Sequence, residues 1–161
     1  LLCMTQKRNQ TIKSKIMKTK YVIGVDPDCK KSGVATFKDG ELMCLDNLSL
    51  IDFLDFCSKL RKEVIIVIED GNQISGLYHR NTNQNKLVQH KISERVGANK
   101  QRATDLIEIA KHYGITVIAQ KPRKGNWSDK KPMFEKVTGW KKQSNQETRS
   151  AAFFGYMYAN K

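Results

Sequence analysis

From Tyr21 onward the apolar residues fall into short runs broken by polar turns, with stretches of helical spacing between the runs. Tyr21, Val22, Ile23 and Val25 are β-formers that end in Asp26 and Pro27, which predicts a buried strand with a carboxylate at its end. Pro27 fixes its own backbone and biases Asp26 toward extended geometry, so the carboxylate is expected at the rim of a sheet. Gly33 reopens the chain into a second strand, Val34 to Lys38. The Asp39-Gly40 pair suits a hairpin turn into a third strand, Glu41 to Leu45, and the three strands read as an antiparallel meander. Ser49 is placed as an N-cap. Leu50, Phe53, Leu54, Cys57 and Leu60 then recur at helical spacing, predicting an amphipathic helix to about Lys62. The run Val64 to Glu69, VIIVIE, is continuously apolar, as in a strand covered on both faces, and it too ends in acid, Glu69 and Asp70.

Gly71 to Arg95 is polar, with only Ile74, Leu77, Leu87, Val88 and Ile92 to anchor it, and is expected to be a mobile loop with a short helix. Helical spacing returns from Asn99 through Ala103, Leu106, Ile107 and Ala110, and Gly114 closes that helix. Ile115 to Ala119 reads as another buried strand. Gln120 to Lys142 is a basic connector carrying Pro122, Gly125, Trp127, Pro132 and Trp140. A last helix, from about Gln146 to Ala159, is expected to pack through Ala151, Ala152, Gly155, Tyr156 and Ala159. Residues 1–20 are basic and lack apolar periodicity, so they read as a flexible tail before one domain, 21–161. The order of three strands, helix, strand, helix, strand and helix predicts an α/β fold, a mixed sheet with helices on both faces.

Composition adds a partner to this picture. The 161 residues suit one domain, and 29 Lys and Arg against 16 Asp and Glu give a formal charge of +13 and a pI near 9.7. Such an excess attracts polyanions through counterion release, with nucleic acid ahead of a membrane surface because no segment approaches the ~20 apolar residues needed to span a bilayer. A soluble, cytoplasmic protein is expected. The cysteines, Cys3, Cys29, Cys44 and Cys57, form no CxxC pair, and His79, His90 and His112 have no ligand spacing, so neither a zinc site nor a disulfide framework is expected. Cys29 reads as a small turn residue rather than a reactive thiol.

The carboxylates carry the candidate chemistry. If the strands ending in Asp26 and Glu69 lie side by side in parallel, a right-handed crossover brings both acids to one carboxyl edge. Hard oxygen ligands with room for water suit Mg²⁺, which bridges carboxylates to phosphate oxygens. Glu147 is a candidate third arm from the last helix, with Ser150 one turn later on the same face. Ser144-x-x-Glu147 also fits a capping box, in which Glu147 serves only the helix start. Trp127 and Trp140, set among basic residues, suit base stacking and equally suit a ring closing the core.

These residues resemble the RuvC-like Holliday junction resolvases, especially phage-type members, within the RNase H-like superfamily. The resemblance rests on IGVDPDCKKSGVA, VIIVIED, VGANKQRATDLIEIAKHYGITV, TGW and SNQETRSAA, and covers nearly everything from Tyr21 to Asn160. It implies an RNase H-like five-stranded mixed sheet and a crossover-junction endodeoxyribonuclease acting in DNA recombination or repair. Asp26, Glu69, Glu147 and Ser150 fall on the family's metal positions, and two Mg²⁺ ions are implied, with Mn²⁺ able to substitute. Lys130 or Lys131 is implied as a catalytic electrostatic partner. Lys121, Arg123, Lys124, Trp127, Lys141 and Lys142 are the expected DNA-binding residues, four-way junction DNA the substrate, and a homodimer the working assembly. The sequence departs from the family pattern at Asp28, usually Gly, and at Ser150, usually Asp. The second departure keeps open an alternative on the same fold, a structure-selective DNA-binding protein with weak or lost catalysis. A nuclease for RNA in RNA and DNA hybrids is a third reading.

Overall fold

A computed structural model of the chain describes residues 20–60, 63–74 and 85–161. The expected tail, up to residue 19, lies outside them. Five strands, β1 (Tyr21–Asp26), β2 (Ser32–Lys38), β3 (Glu41–Leu48), β4 (Ile65–Glu69) and β5 (Thr116–Gln120), form one sheet in the order β3-β2-β1-β4-β5. The meander β1-β2-β3 is antiparallel, whereas β4 pairs with both β1 and β5 in parallel. Asp39 and Gly40 both take positive φ, 51° and 89°, which lets a tight turn follow the twist of the β2-β3 hairpin.

Among the described residues, four α-helices cover the sheet: α1 (Leu50–Lys59), α2 (Lys86–His112), α3 (Lys131–Thr138) and α4 (Gln146–Ala159). Side chains alternate between faces along a strand, and both central strands are apolar on both faces. Ile23, Val25, Ile66 and Ile68 pack against Phe53 and Cys57 of α1 and Leu106 and Ala110 of α2. Val22, Val67, Ala35 and Phe37 pack on the other face against Phe134 of α3 and Ala151, Ala152 and Phe154 of α4. The unbroken run VIIVIE is thus a strand with a helical layer on each side.

Several elements differ from their sequence expectation. β3 runs on to Leu48, and α1 ends at Lys59 with Leu60 as its cap, the chain at 61–62 lying outside the described residues. The polar stretch read as a loop to Arg95 is helical from Lys86, the first ten residues of the 27-residue α2. That part of α2 stays mostly exposed, with Leu87, Val88 and Ile92 open to solvent, so it has no buried stripe for periodicity to reveal; Asn85 caps it by accepting the Leu87 amide. The other part of that stretch, 75–84, lies outside the described residues. The connector contains a helix, α3, with Pro132 in its first turn and Gly139 in the left-handed conformation at its end, a pairing that marks helix termini. The capping box on α4 is Asn145 with Thr148, not Ser144 with Glu147, so Glu147 is released from a capping role. Among the described residues no helix is long and apolar enough to cross a membrane.

Candidate active site

Glycines decide how closely α4 approaches the sheet. A Cβ on Gly24 would lie 2.0 Å from the Ala151 carbonyl oxygen, and one on Gly33 would lie 2.2 Å from that of Glu147. Gly33 is the antiparallel partner of Asp26, so the first turn of α4 rests on the carboxyl end of β1. Alternation then aims the acids. Val22 and Gly24 face α4, and so does Asp26, two residues on; Ile65 and Val67 set the same parity for Glu69. Val25 is paired with Ile68, which makes Asp26 and Glu69 neighbours at the next step.

The two carboxyls lie close enough to act on each other's protonation. Burial, followed by the charge of Glu69, drives the Asp26 carboxyl well above the usual aspartate range against an opposing hydrogen bond from Ser150, and the Glu147 charge adds to the rise. Burial also raises Glu69, partly offset by its hydrogen bonds to Asp26 and Ser150. Ser150 is buried between them, its Oγ donating to Glu69 Oε2 at 3.4 Å. Asn126, unremarked in the sequence, donates from Nδ2 to Ser150 Oγ at 3.1 Å, and its Oδ1 accepts from the Ser128 amide and hydroxyl at 3.3 and 2.8 Å. Arg149 was also missed. It is 8% exposed and donates from Nε to the carbonyls of Trp127 and Ser128 and from Nη1 to that of Ser144, tying the connector to the start of α4. A basic residue inside the buried face of a predicted helix is a signal for such a clamp, but its carbonyl partners are not legible locally.

Glu147 is half-buried on the first turn of α4. Among the described residues, no three Asp, Glu, His or Cys side chains form a group able to hold a metal ion. The convergent set is Asp26, Glu69 and the Ser150 hydroxyl, with Glu147 contributing its field. Asp70 does not join them, since its carboxylate accepts from the Asn72 amide and side chain and from Gln73.

The loop after Asp26 is held by α2. Asp28 pairs with Arg95 at 3.2 Å and accepts the Lys30 amide at 3.0 Å. Burial pushes its carboxyl up, but the Lys30 amide and Arg95 together outweigh this and leave it below the ordinary value. Cys29 donates its amide to Asn99 Oδ1 at 3.0 Å, and its carbonyl accepts from Arg102 Nη2 at 2.9 Å. Cys29 is therefore anchored by its backbone as a turn residue.

The expected DNA-binding residues divide. Trp127 is 6% exposed and packs among Phe134, Phe153 and Tyr156, so its assignment to DNA stacking is corrected: its ring closes the core. Trp140 is half-buried; its Nε1 donates to the Gln143 carbonyl, and Lys142 sits 5.6 Å over its ring. Lys121 and Arg123 line an open cleft of about 390 Å³ with Gln73, Gln120 and Pro122, and Gln120 is the β5 partner of Glu69. A cleft carrying two cationic side chains therefore opens at the carboxyl end of β5, the strand next to the one that ends in Glu69. Lys124 and Lys141 are exposed, Lys131 pairs with Glu135 at 3.7 Å, and Lys130 lies alongside Gly125.

Two half-buried carboxyls held together toward the protonated state are a donor set that a hard divalent cation relieves, since +2 charge removes the repulsion and oxygen is the ligand such ions prefer. The residues present fit such an ion. Neither a family model nor a curated protein matches this sequence. Solved structures do match the fold. RuvC of Thermus thermophilus in complex with a Holliday junction substrate is similar with a TM-score of 0.58 and 15% identity over 87% of this chain and 92% of that one. A second Thermus thermophilus RuvC structure is similar with a TM-score of 0.54 and 13% identity over 86% and 93%.

Proposed function

We propose that this chain is a divalent-metal-dependent endonuclease that hydrolyses phosphodiester bonds in branched DNA, a four-way junction or a related recombination or repair intermediate. The observation that carries the proposal is the Asp26 and Glu69 pair at one carboxyl edge of parallel β1 and β4, beneath the first turns of α4. The RuvC-like fold supports it, and the similar RuvC structure is bound to a Holliday junction substrate. A Mg²⁺ or Mn²⁺ ion there would supply the Lewis acidity and water activation that phosphodiester hydrolysis needs. Asp26 and Glu69 hold the ion, and Ser150 donates to Glu69 and fixes its orientation. Lys121 and Arg123 attract the adjoining phosphates into the cleft beside Glu69, and Lys130 or Lys131 contributes positive charge from the start of α3. A four-way junction has two symmetric strands to cut, so the working form is a homodimer with one site per subunit.

The neutral Ser150, hydrogen-bonded to the equally neutral Asn126, favours a second reading, a junction-binding protein with weak catalysis. Nicking of a four-way junction, a linear duplex and an RNA and DNA hybrid, each with and without Mg²⁺, separates the readings. Metal-dependent nicks confined to the junction are expected. Tight junction binding with no nicks in Mg²⁺ or Mn²⁺ establishes the second reading, and preferred cutting of the hybrid rejects both.

A further inference from the structure

The groups around Asp26 and Glu69 differ in what they turn toward that pair. Asn126 Oδ1 is occupied by the Ser128 amide and hydroxyl, so its NH₂ end must face Ser150. Nδ2 then donates to Ser150 Oγ, which uses one lone pair of that oxygen and leaves its proton directed at Glu69 Oε2. From the α4 side the acidic pair is thus met by the Ser150 hydroxyl hydrogen. A cation approaching there meets a neutral hydroxyl with one lone pair left, and no anionic oxygen.

Charge argues the same way. Asp26 and Glu69 together carry −2 when ionised, which one divalent ion neutralises, and a second ion needs further anionic oxygen. Asp70, adjacent in sequence, is committed to Asn72 and Gln73. Glu147 bears on Asp26 through its field, but among the described residues no third acidic, His or Cys side chain completes a metal-holding group.

From this geometry we infer that the site holds one divalent cation, on Asp26 and Glu69, and that the neutral Ser150 and Asn126 pair closes its α4 side to a second. The inference rests on the metal-dependent reading above and sets its stoichiometry. Asn126 is a positioning residue in it, acting on the site through Ser150.

Mn²⁺ alone is the probe, titrated into the full chain without DNA, with bound metal counted and its spectrum recorded by electron paramagnetic resonance. One Mn²⁺ per chain is expected, lost in Asp26→Asn, with no spin coupling to a neighbouring ion. Ser150→Asp replaces the hydroxyl with an anionic oxygen and is expected to raise the count to two and to introduce spin coupling. Asn126→Asp, nearer the connector surface, tests the same point if the buried substitution prevents folding. Two bound ions in the unaltered protein, or one ion that survives Asp26→Asn, overturn the inference while leaving a metal-dependent enzyme. No bound Mn²⁺ overturns both the inference and the metal-dependent reading.

Discussion

Asp26 concentrates the consequences of burying two acids together. Its carboxyl and that of Glu69 bind protons more tightly folded than unfolded, so their contribution to metal-free stability is greatest in acid. It falls as pH rises from the ordinary carboxylate range through the raised folded values. Asp26→Asn removes one member of the pair, and without divalent ions the variant is expected to melt above the parent at pH 7. That advantage should shrink as pH falls toward 3.8, the ordinary aspartate value. Thermal melts across pH check it, and a variant less stable than the parent at pH 7 would contradict the repulsion. The same substitution is expected to abolish junction cutting and leave junction affinity equal or higher, because it removes a negative charge and none of the basic surface. Ser150→Asp should lower the metal concentration for half-maximal cutting, and Glu147→Gln should raise it; an unchanged titration in both variants would mean that α4 has no part in metal binding.

At the scale of elements, the site depends on two helices meeting the sheet from opposite faces. α4 reaches it only because Gly24 and Gly33 lack side chains. Each Cβ would fall 2.0–2.2 Å from a carbonyl oxygen of α4, so Gly24→Ala or Gly33→Ala should destabilise by about 3 kcal/mol or more and displace Ser150 from the acids. Denaturant melts measure the first effect; a variant within 1 kcal/mol of the parent, an order-of-magnitude threshold for a tolerated core change, would show that α4 can slide away freely. α2 works on the loop instead. Asn99→Ala removes the acceptor of the Cys29 amide, a loss of about 1 kcal/mol. Faster amide exchange at Cys29 and a reduced cutting rate are expected, with the melting of α4 contacts unaffected. Unchanged exchange at Cys29 would mean that the loop holds itself.

The whole molecule carries +13 and opens a cleft with Lys121 and Arg123 at the end of β5, the strand paired with β4. Junction binding should therefore be dominated by counterion release. Affinity is expected to fall by about a thousandfold or more between 50 and 200 mM salt if ~6–10 phosphates are neutralised. A slope near zero in log affinity against log salt would rule out the basic surface as the binding face. Paired cutting also requires two copies of a site that each chain supplies once, so sedimentation should show a dimer on the junction; a lone monomer there would leave symmetric cutting without a basis.

Residue patterning by itself determined the strands and their two covered faces, because the unbroken apolar runs of β1 and β4 record burial on both sides without reference to any distant partner. Acids closing both runs made Asp26 and Glu69 legible as a pair, and the Gln146–Ala159 helix was readable from its small and aromatic packing residues. The exposed half of α2 was not readable, since a helix that buries nothing has no apolar stripe, and α3 was masked by the basic composition around its Pro132 and Gly139 ends. Tertiary structure alone decided the rest. Trp127 could serve DNA or core on sequence grounds, and only the convergence of α3 and α4 put it inside. Asn126 reaches Ser150 across 24 residues, and Asn99 reaches Cys29 across 70. Such hydrogen bonds leave no local periodicity, because each partner is a polar residue whose burial and direction are set by how the elements pack.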